Sequence, residues 1–220
     1  MSPRRYRPGR RETTMEDTRR RIVEATVALH ARQGVLGTTY AMIAKQADVA
    51  IPTVYNHFPK LPALLAACTG HVAALAPPLG PEIFAGATDL EERLRVLVRA
   101  LSAYYRFSRP WLRWAIHEAG LVPDLARLLE AAGVGRRQLI ALALAPAFGP
   151  HPPEPLLALA EVLLDFPAWQ RIDRDGKRSG DAAGEIVAQA LVVLARAYIP
   201  APRPAGSRGR ARPPTRRQST

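Results

Sequence analysis

The sequence is poor in cysteine and aromatic residues, and it has no long apolar run. Its 220 residues include one cysteine, Cys68, and only 6% are aromatic. A single cysteine excludes an intramolecular disulfide framework and suits a reducing compartment. No apolar stretch approaches the ~18 residues of a membrane-crossing helix. The arginine-rich start is followed by alternating charged and apolar residues between Thr18 and Gln33, not by the apolar core of an export signal. We therefore expect a cytoplasmic protein without a membrane partner.

Signatures of catalysis are also missing. The chain contains no G-x-S-x-G, no H-E-x-x-H and no phosphate-binding G-x-x-x-x-G-K, and its five histidines lie far apart in the sequence. One cysteine adds little to a zinc site, which needs several ligands at close spacing. The sequence thus predicts no catalytic residue, no metal site and no cofactor.

The charge is concentrated at the two ends of the chain. The net charge is +12, of which residues 1–16 carry +3 and residues 200–220 carry +6. We expect basic, disordered arms over residues 1–15 and 201–220, because both are rich in Arg, Pro, Gly and Ser. Basic arms point to a nucleic acid, and Arg208-Gly209-Arg210 resembles the centre of a minor-groove-binding AT-hook. The alternative is that the arms only improve solubility.

Between the arms the pattern is helical throughout. Apolar residues recur at helical spacing from Ile22 to Leu29, and Gly34 is a natural C-cap. Proline-rich residues 77–81 mark the best boundary between domains. Further helices are predicted over residues 40–47, 62–75, 111–119, 123–132, 136–145, 154–169 and 181–199, and another one capped by Thr88 or Asp89. The predicted fold class is all-α, with an N-terminal domain over residues 16–76 and a second helical domain over residues 77–200.

Residues 39–58 read as a helix-turn-helix. A short helix capped by Thr39 is followed by a three-residue turn that starts at Asp48, and then by a second short helix. Ile51 and Pro52 open this second helix, where proline costs no hydrogen bond. A recognition helix lies in the major groove of DNA, where hydroxyls and amides meet base edges and other side chains meet phosphates. We predict a double-stranded-DNA interface formed by Thr39, Ile51, Pro52, Thr53, Tyr55, Asn56, His57 and Lys60.

These residues also carry a family resemblance. The segments "TRRRIVEATVALHARQG", "TTYAMIAKQADV" and "PTVYNHFPK" resemble the DNA-binding domain of the TetR family of bacterial transcriptional regulators. The resemblance implies an all-helical homodimer with an effector pocket in the C-terminal domain, usually a repressor. It also implies DNA contacts from the positions of Thr39, Thr53, Tyr55, His57 and Lys60. The chain departs from the family pattern at Asp48, where Gly is common, at Ala50, where Ser or Thr is common, and at Lys60-Leu61-Pro62, where Ser-Lys-Glu is usual.

The second domain has one aromatic-rich segment. Residues 104–119 hold five aromatic side chains and His117 in an otherwise aromatic-poor chain. Ligand pockets are mostly apolar with a few placed polar groups. This segment therefore predicts a pocket for an apolar or aromatic effector; the alternative is that the same rings only fill the core between helices. The predicted pocket residues are Tyr104, Trp111, Trp114, His117 and Glu118.

Two late helices are candidates for self-association. The segment "EIVAQALVVLARAYI" is apolar around most of its circumference, which is more than one buried stripe requires. We predict a homodimer formed through residues 155–169 and 182–199, with Val192 and Leu194 near the partner. The leading hypothesis is a ligand-responsive dimeric repressor that binds a palindromic operator. The alternative is a helical small-molecule-binding or enzymatic protein whose basic tails serve solubility.

Overall fold

The chain is helical over the residues that the structure describes. The computed structural model describes residues 9–173 and 180–199. Nine α-helices and one short 3-10 helix follow one another over these ranges, which contain no strand. The predicted all-α class is therefore confirmed. The elements are α1 (Gly9–Gln33), α2 (Tyr40–Ala47), α3 (Ile51–His57), α4 (Leu61–Leu75), the 3-10 helix (Pro81–Phe84), α5 (Leu90–Glu118), α6 (Pro123–Phe148), α7 (Glu154–Leu163), α8 (Phe166–Ile172) and α9 (Gly180–Tyr198).

The first four helices share one apolar cluster. Each contributes side chains at helical spacing, so that one stripe of every helix is removed from water. The members are Ile22, Val23, Ala25, Leu29, Ile43, Ala44, Ala47, Val54, Phe58, Leu64 and Cys68. Gly34 ends α1 with a φ of +75°, and its N–H donates to the carbonyl of His30 at 3.0 Å. The predicted C-cap is thus present, because glycine adopts the left-handed conformation without steric cost.

Helix α1 is longer than the sequence predicts. It begins at Gly9, inside the segment 1–15 predicted as a disordered arm. The sequence contains no proline from Gly9 to Gln33, and the Arg and Glu residues in this stretch are good helix formers. The helix therefore overlaps the second half of the segment predicted as a disordered arm. The remaining arm predictions, including Arg208-Gly209-Arg210, lie outside the described residues.

Helices α5 to α9 pack around a second apolar cluster. Its fully buried members come from four helices: Leu94, Leu97, Ile140, Leu144, Leu156, Leu191 and Val192. Val192 was expected near a partner chain, but only 1% of its surface is exposed, so it belongs to the chain's own core. The side chain of Leu194 is half-buried against the same cluster.

Several predicted helix breaks are absent. Helix α5 continues through Pro110, and α6 continues through Gly133 and Gly135. A proline in a helix interior costs roughly 3 kcal/mol, and each glycine costs about 1 kcal/mol. Tertiary packing on both sides of these positions offsets those costs. Conversely, the single helix predicted over residues 154–169 is broken at Asp165, whose carboxylate accepts from the N–H of Ala168 at 2.6 Å and caps a new helix.

The C-terminal half of α5 is docked on α1. The indole N–H of Trp111 donates to the carbonyl of Val27 at 2.9 Å. Arg113 and the indole of Trp114 both donate to the carbonyl of Ala31, at 3.0 and 3.3 Å. Ala31 is in the last turn of α1, where carbonyls lack a partner within the helix, so α5 caps this end from the side. A small third cluster of Leu65, Val122 and Leu125 fills the space beside this contact.

Membrane-crossing potential is limited to one bent pair. Among the described residues, no single helix is long and apolar enough to span a bilayer. Helices α3 and α4 reach the required length and composition only together, across a bend of 81°.

Candidate nucleic-acid interface and ligand cavities

The turn between α2 and α3 depends on a left-handed aspartate. Asp48 has φ 52° and ψ 56°, and among the described residues it is the one non-glycine with positive φ. Aspartate tolerates this conformation better than most side chains do. The N–H of Val49 donates to the carbonyl of Ala44 at 3.0 Å, which closes the end of α2. Asp48 therefore adopts the left-handed conformation that a glycine would provide in this turn.

The two helices of the motif begin in different ways. Thr39 caps α2, because its hydroxyl accepts from the N–H of Met42 at 3.3 Å. Helix α3 has no side-chain cap, since Ala50 occupies that position. Instead Pro52, in the first turn of α3, lacks an N–H, and the N–H of Thr53 donates to the carbonyl of Ala50 at 2.9 Å. No side chain caps the N–H of Ile51 at the start of α3.

Helix α3 has one buried side and one exposed side. Val54 is completely buried in the N-terminal cluster, and Phe58, just after the helix, is 1% exposed. On the other side Tyr55 and Asn56 are exposed. The guanidinium of Arg19 lies 4.8 Å from the centroid of the Phe58 ring, which fixes the end of α3 against α1. A helix of seven residues is thus held by two apolar anchors while its polar side chains face outward.

Tyr40 supports this helix and was not identified from the sequence. Its ring lies 4.6 Å from the ring of Tyr55, and its hydroxyl donates to the carbonyl of Phe58 at 2.9 Å. Burial raises the pKa of Tyr40 above its ordinary value, with a smaller effect of the same sign from Tyr55. Tyr40 therefore links the start of α2 to the C-terminal end of α3. The sequence marks it only as the first residue of a helix.

The predicted DNA-contacting residues all lie on or beside α2, α3 and the start of α4. Ile51, Pro52, Tyr55, Asn56 and Lys60 are exposed, as is Thr39. Thr53 and His57 are half-buried. Lys60 precedes α4 in extended conformation, so its side chain is adjacent to the C-terminal end of α3.

A large cavity lies in the C-terminal half, between α5, α6, α8 and the 3-10 helix. Its volume is about 580 Å³. Its wall is mainly apolar, with a polar section that contains Tyr105, Arg136 and Asp165. The hydroxyl of Tyr105 donates to the carbonyl of Leu164 at 2.8 Å, and burial raises the pKa of Tyr105 to about 12 despite the opposing effect of Arg136. The Nε atom of Arg136 is buried without a hydrogen-bond partner among protein groups.

A second cavity lies between the N-terminal helices and the C-terminal helices. We call it the interface cavity; its volume is about 180 Å³. Its walls come from α1, α4, α5 and α6, and Tyr104, Leu112, Leu129 and Ala132 line both cavities. Burial lowers the pKa of His30 to about 4 and raises that of the Cys68 thiol to about 12, and both side chains line the interface cavity.

The five predicted pocket residues are divided between three settings. Tyr104 lines both cavities, and Trp111 and Trp114 line the interface cavity while donating their N–H groups to α1. His117 is exposed and lines neither cavity. Glu118 is buried but also lines neither, because its carboxylate accepts from the N–H of Val35 at 2.7 Å. The aromatic segment thus joins the two halves of the chain as well as lining a cavity.

Within the described ranges, no group of three or more His, Cys, Asp or Glu side chains is arranged to hold a metal ion.

Comparison with known proteins connects this geometry to a family. Residues 22–68 match the profile described as "Bacterial regulatory proteins, tetR family". The HTH-type transcriptional repressor KstR of Rhodococcus jostii (strain RHA1) is 29% identical over 152 residues, which are 68% of this chain and 69% of that protein. The solved structure of the regulator SCO7518 from Streptomyces coelicolor A3(2) has a TM-score of 0.59 at 21% identity and covers 81% of this chain and 98% of its own. A TetR transcriptional regulator from Rhodococcus sp. RHA1 gives a TM-score of 0.47 at 23% identity, with 81% and 96% covered.

Proposed function

Since the chain belongs to the TetR family of bacterial regulatory proteins, we propose that it is a dimeric repressor that releases a palindromic operator when a small molecule binds its C-terminal half. Family membership makes it a DNA-binding transcriptional regulator and not an enzyme. The observation that carries the proposal is the exposed polar face of α3 opposite two buried anchors, Val54 and Phe58. Such a face has no use in the chain's own core.

The proposed DNA interface assigns separate roles to the exposed side chains. Asn56 and Thr53 lie on α3 and carry an amide and a hydroxyl, the groups that read base edges in the major groove. Tyr55, His57 and Lys60 are near the C-terminal end of α3 and meet phosphates, which position the helix without reading sequence. Thr39 at the start of α2 meets a phosphate, and Ile51 and Pro52 contact the groove wall with their apolar surface.

Binding to DNA from the protein's own upstream region tests this assignment. Full-length protein is titrated on a labelled upstream fragment, with unrelated DNA of equal length as competitor. We expect a shifted complex that unrelated DNA displaces poorly, and Asn56→Ala should reduce that discrimination. A complex that unrelated DNA displaces as well as the upstream fragment does would exclude a sequence-specific regulator of its own region.

Dimerisation is supported by an apolar strip on α7 and α9. Leu159 and Val162 on α7 are 45% and 64% exposed, and Ile186 and Val193 on α9 are 66% and 58% exposed. These two helices pack against each other, and we infer that the four exposed side chains belong to one surface. An exposed strip of this kind on a helix pair is typical of a protein–protein contact. Two copies related by a two-fold axis would cover both strips and present two recognition helices to successive major grooves.

Charge substitutions test the dimer. We expect Val162→Glu with Val193→Glu to shift the sedimentation coefficient from dimer to monomer, because two charges per chain would be buried unpaired. Leu121→Glu is the matched control, since Leu121 is 74% exposed in the turn after α5, far from the α7–α9 surface. A wild-type monomer at micromolar concentration, or a double variant that remains dimeric, would exclude this interface.

The effector proposal rests on the two cavities beside Tyr104. Both lie among the helices that connect the DNA-binding domain with the proposed dimer surface. Their walls are mainly apolar, which favours an apolar or aromatic effector acting in the cytoplasm. Binding there shifts the equilibrium between conformations only by the difference in affinity for them. Adding the correct effector to a protein–operator complex should therefore release the DNA in proportion to cavity occupancy.

A further inference from the structure

The interface cavity is lined by both halves of the protein. Helices α1 and α4, which frame the helix-turn-helix core, form one side, and α5 and α6 form the other. No Asp, Glu, Lys or Arg lines it, in contrast to the larger cavity, which contains Arg136 and Asp165. A charged ligand would lose its hydration here without gaining a counter-charge. The cavity is therefore suited to a neutral molecule.

Two buried polar side chains line this apolar space. Ser108 on α5 is 3% exposed, and its hydroxyl has no hydrogen-bond partner among protein groups. His30 on α1 is 8% exposed, and its imidazole takes part in no hydrogen bond between the described residues. Most buried polar groups in proteins are hydrogen-bonded, so a pair of unpartnered ones on the same cavity wall requires an explanation. A hydroxyl and a neutral imidazole can each donate or accept.

We propose that the interface cavity binds a neutral molecule of about one aromatic ring that bears a single hydroxyl or carbonyl oxygen, held by Ser108 and His30. The size follows from comparison with an engineered apolar cavity of ~150 Å³ that accepts benzene. A phenolic oxygen can accept from one of the two side chains and donate to the other. The assignment deepens the proposed function and rests on it for the effect on DNA.

The position of the interface cavity explains how a bound ligand would change DNA binding. The indoles of Trp111 and Trp114 line the cavity and also donate to carbonyls of α1. A ligand that separates α5 from α1 must therefore change the same contacts that orient the helix-turn-helix core. The site thus lies between the DNA-binding helices and the C-terminal helices.

Binding of matched small probes to full-length protein tests the site without DNA. Phenol and toluene have nearly the same shape but differ in the oxygen, and benzoate carries a charge. We expect phenol to change the tryptophan fluorescence and to bind roughly tenfold tighter than toluene, since one hydrogen bond is gained. Benzoate should not bind. Equal affinity for phenol and toluene, or no binding of phenol at millimolar concentration, would overturn the assignment.

Two serine variants on the same helix identify the cavity. Ser108→Ala should lower the affinity for phenol towards that for toluene, because one of the two proposed hydrogen bonds is lost. Ser102→Ala is the control, because Ser102 is also a buried serine of α5 but does not line the interface cavity. Loss of the preference for phenol in Ser102→Ala, or its undiminished persistence in Ser108→Ala, would contradict the assignment. The wild-type comparison of phenol with toluene decides the matter even if a variant does not fold.

A separate titration of operator DNA distinguishes this proposal from the previous one. Phenol binding accompanied by DNA release supports both the site and its regulatory role. Phenol binding without release supports the site and contradicts its role in regulation. Absence of phenol binding, in a protein that still binds its operator specifically, overturns the site and leaves the proposed DNA-binding function intact.

Discussion

The carboxylate of Glu118 accepts a hydrogen bond of 2.7 Å from the backbone N–H of Val35, across 83 positions of sequence. Val35 follows the glycine that ends α1, and Glu118 is the last residue of α5. The carboxylate is buried, and a Cβ atom added to Gly34 would lie 2.0 Å from its Oε1 atom. A glycine is therefore required here both for its positive φ and for the close approach of Glu118.

Removing this carboxylate should destabilise the protein. We expect Glu118→Ala to lower the free energy of unfolding by about 1–3 kcal/mol, because the partly buried N–H of Val35 is left without a partner. Glu130→Ala on α6 is the control, since Glu130 is exposed and forms no ion pair with any residue that the structure describes. Urea unfolding of both variants measures the difference. Equal midpoints would show that the Glu118 bond contributes nothing.

Substitutions at Tyr55 should separate ring packing from the hydroxyl. Tyr55→Phe keeps the ring against Tyr40 but removes a hydroxyl proposed to meet a phosphate, so affinity should fall a few-fold for operator and unrelated DNA alike. Tyr55→Ala also loses the ring contact, and we expect a larger loss, on the order of tenfold. Fluorescence anisotropy on both DNAs measures the losses. Full affinity of Tyr55→Ala on both would remove Tyr55 from the interface.

Substitution of Asn56 should change the DNA sequence preference, whereas substitution of Lys60 should change the salt dependence of binding. Good base contacts contribute roughly 1–3 kcal/mol of discrimination, so Asn56→Ala should change the consensus selected from random DNA. Lys60→Ala should leave the consensus unchanged and reduce the salt slope of binding by about one, because one phosphate contact is lost. Selection from random DNA and a salt titration on each variant provide the comparison. An unchanged consensus for Asn56→Ala would mean that Asn56 does not read bases.

The buried histidine of the interface cavity should make stability depend on pH. Burial lowers the pKa of His30 from its ordinary value of 6.5 to about 4 in the folded chain. Between these values the unfolded state binds more protons, so stability falls as the pH falls from 6.5 towards 4, by at most about 1.4 kcal/mol per pH unit. The other titratable side chains that line this cavity are Tyr104 and Cys68, and burial raises the pKa of the Cys68 thiol to about 12.

Two histidine variants test that dependence. Urea unfolding at several pH values should show a flatter profile for His30→Gln than for wild type. His151→Gln should keep the wild-type profile, because His151 is exposed. If His30→Gln retains the full slope, another group is responsible for the acid sensitivity.

Deleting residues 201–220 should weaken DNA binding without changing its specificity. These residues contain six Arg and no acid. Each phosphate contact that is lost should reduce the salt slope by about 0.9. A full-length variant with the six Arg replaced by Gln is the control for chain length. Identical salt slopes for the truncated and full-length proteins would show that the tail does not reach DNA.

The helix-turn-helix could be predicted because its caps and turns depend on neighbouring residues. The contacts between helices distant in sequence could not be predicted. The Thr39 cap, the Gly34 C-cap and Pro52 in the first turn of α3 depend on neighbours within four residues, so the sequence alone predicts them. The bonds from Trp111 to Val27 and from Glu118 to Val35 join residues more than 80 positions apart. No periodicity encodes such a contact. That is why Glu118 was predicted in a pocket and is found in a joint between two helices.

The same reason explains the wrongly predicted helix breaks. Proline and glycine lower local helix stability by a few kcal/mol, and the sequence shows that cost but not the packing that offsets it. Pro110 is followed immediately by Trp111, whose anchor on α1 becomes visible only in the folded chain.

Helix α5 contacts both the N-terminal and the C-terminal helices. Its C-terminal half donates from Trp111, Arg113 and Trp114 to α1, while its N-terminal half pairs Arg95 with Glu185 of α9 at 3.0 Å. A hybrid regulator could be made by exchanging the N-terminal DNA-binding helices at the proline-rich residues 77–81. The side chains of α5 that bind α1 in this protein would then face an α1 of different sequence. A change of DNA specificity therefore requires one of two exchanges. Either the C-terminal half of α5 is exchanged together with the DNA-binding helices, or only the exposed residues of α3 are exchanged.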